Sequence, residues 1–144
     1  NKVLNKFSNE IKKIPGLSPP ITRKNSHRGA FFGYRPFYNS KKLNNLSITK
    51  FIKILQSEGM EVRQAGNRPL HLLSLFNEKG KRKIFLKNNY KYYRNYKSGD
   101  LPNSEKFYNT TLSLPTFTFE KKELINQYLS AFKKVCNYLN EKSI

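Results

Sequence analysis

The chain has 144 residues, 37% hydrophobic and 14% aromatic, which suits one domain with a modest core. Its formal net charge of +19, from 28 basic against 9 acidic residues, points either to a polyanionic partner or to a Lys- and Asn-rich composition balanced by an acidic domain elsewhere. A single cysteine, Cys136, excludes an internal disulfide framework, and the absence of any long apolar run argues against a membrane span or a secretory leader, so a cytoplasmic location with no membrane partner is expected.

In chain order, Val3, Leu4, Phe7, Ile11 and Ile14 recur at helical spacing until Pro15-Gly16 stops the pattern. Residues 1–16 therefore read as a connecting helix, entered with little room for a capping turn, as though cut from a longer polypeptide. Leu17 to Asn25 is a polar link held extended by Pro19-Pro20. Arg28 to Tyr38, dense in aromatic residues, predicts a strand made irregular by Pro36. Ser47 is placed to cap a helix whose apolar face is Ile48, Phe51, Ile52 and Leu55, with Gly59 ending it. Met60 to Arg63 predicts a short strand, and Gly66 to Phe76 a loop turning into a short helical piece. Asp100 is expected to cap a helix with Pro102 in its first turn. Leu112, Leu114 and Phe117 suggest one more short strand. Thr118 is expected to cap the last helix, whose Ile125, Tyr128, Leu129, Phe132, Val135, Cys136 and Leu139 form the clearest apolar stripe in the chain. Helices interleaved with few strands give an α/β class, one short sheet packed by helices over residues 17–144.

Little in the sequence carries chemistry of its own. The glycines are scattered rather than gathered into a phosphate loop, and one cysteine with two distant histidines offers no zinc spacing. No serine has a nucleophile-elbow context, and no lysine stands on an apolar strand where its amine would be activated. No catalytic, cofactor-binding or metal-binding residue is therefore expected in this chain. The segment from Lys79 to Lys97 interleaves basic residues with Tyr90, Tyr92, Tyr93 and Tyr96, a composition that binds single-stranded nucleic acid by charge and stacking, and this is the rival functional reading.

Four landmarks occur in a fixed order: Pro15-Gly16-Leu17 after a helix; Ser57-Glu58-Gly59-Met60-Glu61-Val62 leading to Arg68-Pro69-Leu70-His71; Gly99-Asp100-Leu101-Pro102 with Ser104-Glu105; and Leu112-Ser113-Leu114-Pro115 before the long helix. Together they resemble the C-terminal part of the DegT/DnrJ-type pyridoxal-phosphate-dependent sugar aminotransferases. The resemblance implies the small C-terminal domain of the fold-type I aminotransferase fold. It also implies a separate large domain carrying the cofactor lysine, and a homodimer moving an amino group from glutamate or glutamine to a keto-sugar or cyclitol ketone, which can be nucleotide-linked. Pyridoxal phosphate then belongs to the complete enzyme, with none expected in this chain alone. The departure from the usual pattern at Gln64 to Asn67 places the sequence nearer a subgroup acting on cyclitols and unusual keto-sugars. On this resemblance His71 is the first candidate for a substrate-lining residue, its imidazole suited to sugar hydroxyls or phosphate. Arg68 is a candidate for holding an anionic group, and Tyr34 a candidate for reaching a ligand from the aromatic segment.

Overall fold

The computed structural model describes residues 1–77, 96–117 and 119–142. Its elements among these residues are α1 (Lys2–Ile11), β1 (Leu17–Ser18), β2 (Phe37–Tyr38), α2 (Ile48–Ser57), β3 (Arg63–Gln64), α3 (Ser74–Asn77), α4 (Pro102–Thr110), β4 (Leu112–Ser113) and α5 (Lys122–Glu141), with single 3-10 turns at Ser40–Lys42 and Leu70–Leu72. The chain divides into two compact units, one of residues 1–65 and 110–144 and the other of residues 66–109. No helix among the described residues is long and apolar enough to cross a membrane.

The larger unit holds the core. Three amphipathic helices turn their apolar stripes inward: Leu4, Phe7 and Ile11 from α1; Ile48, Phe51, Ile52 and Leu55 from α2; and Tyr128, Leu129, Phe132, Val135, Cys136 and Leu139 from α5. Between them lie two antiparallel ladders, β1 with β2 in register Leu17–Tyr38 and β3 with β4 in register Arg63–Ser113. Isolated antiparallel bridges, Tyr34–Leu114 and Phe37–Thr111, join the ladders. The architecture is α/β, short antiparallel ladders packed by helices. Burial pushes the Cys136 thiol up to about 12, so this cysteine is a packing residue.

Aromatic rings tie the elements together. Phe7 meets Tyr34 edge-on at 5.2 Å and Phe117 at 5.4 Å, Phe117 meets Tyr128 at 5.1 Å, and Tyr38 stacks on Phe51 at 4.6 Å. Each buried phenol among the described residues finds a partner: Tyr34 with the Ser8 hydroxyl at 2.8 Å, Tyr38 with the Leu46 carbonyl, and Tyr128 with the Glu61 N–H at 3.0 Å. The Thr111 hydroxyl is different, being buried with no hydrogen-bond partner among the described residues.

Turn chemistry sets the ends of α1 and α2. The Ser47 hydroxyl accepts from Lys50 N–H at the start of α2. At its end Gly59, at φ +84°, lets Gly59 N–H reach Gln56 and Met60 N–H reach Leu55, the double bond pattern that closes a helix onto a left-handed residue. Gly16, at φ +74°, has a second constraint, since a Cβ there would lie 2.5 Å from Leu43.

Three expectations are corrected. The strand expected over Arg28 to Tyr38 shrinks to Phe37–Tyr38, with Tyr34 only bridging; Pro36 has no N–H for a ladder, and its carbonyl accepts from Leu112 instead. Arg28 folds back to Thr22 and the Ile21 carbonyl and lies 4.3 Å over the Phe31 ring, so the aromatic density there serves packing. The strand expected at Met60 to Arg63 forms at Arg63–Gln64, because Met60 closes the end of α2 and Val62 is buried in the core. Asp100 does not cap α4: its carboxylate accepts from Lys97 N–H at 3.0 Å within the preceding turn. Thr118 lies outside the described residues, and the cap position of α5 is Lys121, whose side chain makes no capping bond.

Phe132, fully buried on α5, and Thr111, fully buried without a hydroxyl partner, give opposite expectations. Phe132→Ala lowers the free energy of unfolding by about 3–5 kcal/mol through the cavity it opens. Thr111→Val, which removes an unsatisfied buried hydroxyl while keeping its shape, leaves stability unchanged or raises it by about 1 kcal/mol. Urea denaturation of both variants checks the pair.

Candidate functional site

The smaller unit gathers polar side chains around one carboxylate. Pro69, buried, leads into the single 3-10 turn Leu70–Leu72 and turns His71 inward. The His71 side chain is 3% exposed, and its Nε2 lies 2.8 Å from Glu105 Oε1. Glu105 sits in the first turn of α4, where a negative charge is favoured by the helix dipole. The same carboxylate accepts the Gly99 N–H at 2.8 Å and the Ser98 hydroxyl at 3.0 Å. One acidic side chain thereby ties the turn at Leu70–Leu72 to the loop that enters α4. Tyr96 adds an edge-on contact with His71, ring centroids 6.4 Å apart.

The hydrogen bond from His71, followed by that from the Gly99 N–H, holds the Glu105 carboxyl below the usual carboxylate range, against the opposing effect of burial. Ionised, Glu105 offers only acceptors, so His71 Nε2 is the donor in their bond. The arrangement fixes geometry: a carboxylate with three donors holds two backbone segments together.

The exposed described residues of this unit include one arginine and three large apolar side chains. Arg68 is exposed and makes no hydrogen bond or ion pair among the described residues. Leu70 is 65% exposed, and Leu101 and Phe107 are each 43% exposed. The residues singled out from sequence thus fall into different settings. Arg68 and His71 share one turn, the first facing outward and the second inward. Tyr34 belongs to the larger unit, where its ring is fully buried against Phe7 and Phe31. Burial pushes its phenol up to about 12, and the hydroxyl is engaged with Ser8.

The sequence landmarks include Glu105 but assign no role to it or to Ser98. The available signal was a carboxylate in the first turn after Pro102, preceded by Ser98-Gly99. Among the described residues no group of three His, Cys, Asp or Glu side chains is placed to hold a metal. The basic, tyrosine-rich stretch behind the nucleic-acid reading falls, from Lys79 to Asn95, outside the described residues.

No family model matches the sequence, and no curated protein matches it. Solved structures do. An aminotransferase, TlmJ, from Streptoalloteichus hindustanus matches over 96% of this chain and 31% of its own, with a TM-score of 0.66 and 16% identity. A DegT DnrJ EryC1 StrS aminotransferase from Brucella abortus matches over 94% of this chain and 30% of its own, with a TM-score of 0.60 and 18% identity. At these identities the likeness establishes the fold, that of a segment of these aminotransferases. The chain spans about 30% of the length of the structures it matches.

Because Glu105 is more acidic in the folded chain than a free glutamate, it stabilises the fold above the ordinary carboxylate pKa, and that contribution disappears as pH falls through its lowered value. The Gly99 amide reports on this directly. Its protection from hydrogen exchange, corrected for the intrinsic rate, holds from neutral pH into the carboxylate range and collapses below it. In Glu105→Ala protection is lost at every pH. A wild-type Gly99 as unprotected at neutral pH as in the variant would contradict the assignment.

Proposed function

We propose that this chain acts as the C-terminal small domain of a pyridoxal-phosphate-dependent aminotransferase. It works with a large domain to move an amino group from glutamate or glutamine to a keto-sugar or cyclitol ketone, within a cytoplasmic homodimer. The observation that carries the reading is the fold likeness: nearly the whole chain follows one segment of aminotransferases from two organisms. The four sequence landmarks, in the order expected for such a segment, support it independently.

Every described lysine is exposed, so the described residues offer no buried amine to join the cofactor carbonyl. In the complete enzyme the cofactor supplies the electron sink, and the protein supplies position and electrostatics. This chain's part is positional: Glu105 and His71 hold the turn at residues 68–70, and Arg68 offers a planar cation for an anionic group on the substrate. His71 acts through the geometry of this turn, since its own Nε2 is committed to Glu105.

A chimera tests the proposal, with this chain replacing the matching segment of the Brucella abortus aminotransferase. The folded chimera is expected to bind pyridoxal phosphate and transaminate, whereas the isolated chain shows neither cofactor absorbance nor turnover. Arg68→Ala in the chimera is expected to raise KM for an anionic substrate about tenfold with little change in kcat, the pattern of lost ground-state binding. A folded, cofactor-bearing chimera without turnover would contradict the reading. Salt-sensitive binding of single-stranded RNA by the isolated chain would favour the nucleic-acid alternative instead.

A further inference from the structure

The positive charge is unevenly distributed. Between Glu10 and Glu58 the sequence has ten lysines and arginines and no carboxylate. Within this stretch, where α1 ends and the chain turns into β1, lies a polar groove of about 330 Å³, a volume typical of small-molecule sites. Lys12, Lys13, Gly16, Ser18, Asn39 and Lys42 are among its lining residues. We propose that this groove binds a small phosphate oxyanion, a site separate from the turn at Arg68 and independent of the aminotransferase reading.

The argument rests on which polar groups are already used. Several backbone acceptors at this end of α1 are taken: Ser8 by Lys12 N–H, Glu10 by Lys13 N–H, Ile11 by Ile14 N–H, Ile14 by Leu17 N–H and Gly16 by Asn39 N–H. Three of the last four helical carbonyls, those of Ser8, Glu10 and Ile11, are thereby satisfied within the chain, which lessens the negative end of the helix. Glu10, the carboxylate on the preceding turn, is paired with Lys13 at 2.5 Å. The donors are left over. Lys12 and Lys42 have no carboxylate partner among the described residues, and the Ser18 hydroxyl makes no bond among them. Asn39 uses its Oδ1 to accept from Lys41 N–H at 3.1 Å, which leaves its NH₂ hydrogens to donate.

Two ammonium groups, a hydroxyl and an amide around one groove match a multiply charged, tetrahedral anion better than a neutral sugar face. The backbone of the groove is also fixed. Gly16 has no room for a side chain against Leu43, and its carbonyl is pinned to Asn39, so residues 16–18 and 39–42 keep their relative positions without a ligand.

Titration of the whole chain with pyrophosphate at constant ionic strength, followed by the amide shifts of Gly16, Ser18 and Asn39, tests the site. Saturable binding localised to these amides is expected. Lys12→Ala combined with Lys42→Ala should raise Kd about tenfold or more. The double variant Lys50→Ala with Lys53→Ala, which removes the same charge from α2 outside the groove, should leave Kd within about twofold of the wild-type value. All four lysines are exposed, so neither variant disturbs the core. Equal weakening in both doubles would reduce the effect to diffuse attraction by a cationic protein and overturn the proposal, as would non-saturating shifts spread over the surface. An oligonucleotide that bound through Lys12 and Lys42 more tightly than pyrophosphate would also overturn it.

Discussion

The larger unit depends on the burial of three helical faces against very little sheet. Each ladder has only two residues per strand, too few to hold together without a packed face. Stability therefore comes from α1, α2 and α5, whose apolar stripes remove Phe7, Phe51, Phe132, Ile11, Leu55 and Cys136 almost wholly from water. The ladders contribute direction more than energy: they fix the order in which the helices meet. Phe7, Tyr34, Phe117 and Tyr128 pass contact from α1 through the irregular segments to α5, and two of those rings carry hydroxyls that find partners. A core assembled this way tolerates irregular backbone because its buried side-chain polar atoms are bonded, with the Thr111 hydroxyl as the exception among the described residues.

Charge is organised around that core without supporting it much. The ion pairs Lys6–Glu120, Lys13–Glu10 and Lys134–Glu58 join or border the three helices, but their lysines are exposed, and such pairs add little net stability. Glu105 is the exception, because its partner His71 is enclosed and the carboxylate gathers further donors from Ser98 and Gly99. In a protein of net charge +19, one well-placed carboxylate organises more structure than the surface pairs do.

The three helices were legible because each repeats one signal many times over: apolar residues at helical spacing, with Ser47 and Gly59 marking the ends of α2. The strands were not. The aromatic run Phe31, Phe32, Tyr34, Phe37 and Tyr38 has strong β propensity, yet Phe32 is 97% exposed and Tyr34 fully buried. Propensity reports on a pleated, half-buried surface, and the packing of Phe7 and the turn-back of Arg28 decided otherwise. Asp100 followed the same logic at smaller scale: its side chain was free to bond locally, and Lys97 N–H was nearer than the helix. At the site, His71 drew attention as a residue type within a landmark, but its partner lies 34 positions away, a distance that spacing rules do not encode.

The functional reading rests on the fold, and the fold rests on the helices closing as one body. Native-state hydrogen exchange tests that directly. The account predicts that amides of α1 from Phe7 to Ile11 and of α5 from Tyr128 to Leu139 open together, with the same denaturant dependence and a free energy equal to global unfolding. The short ladders should be no better protected than the helices. If α1 opened on its own, far below the global value, while α5 stayed protected, the larger unit would not be the cooperative body described, and the likeness to an aminotransferase segment would lose its physical basis.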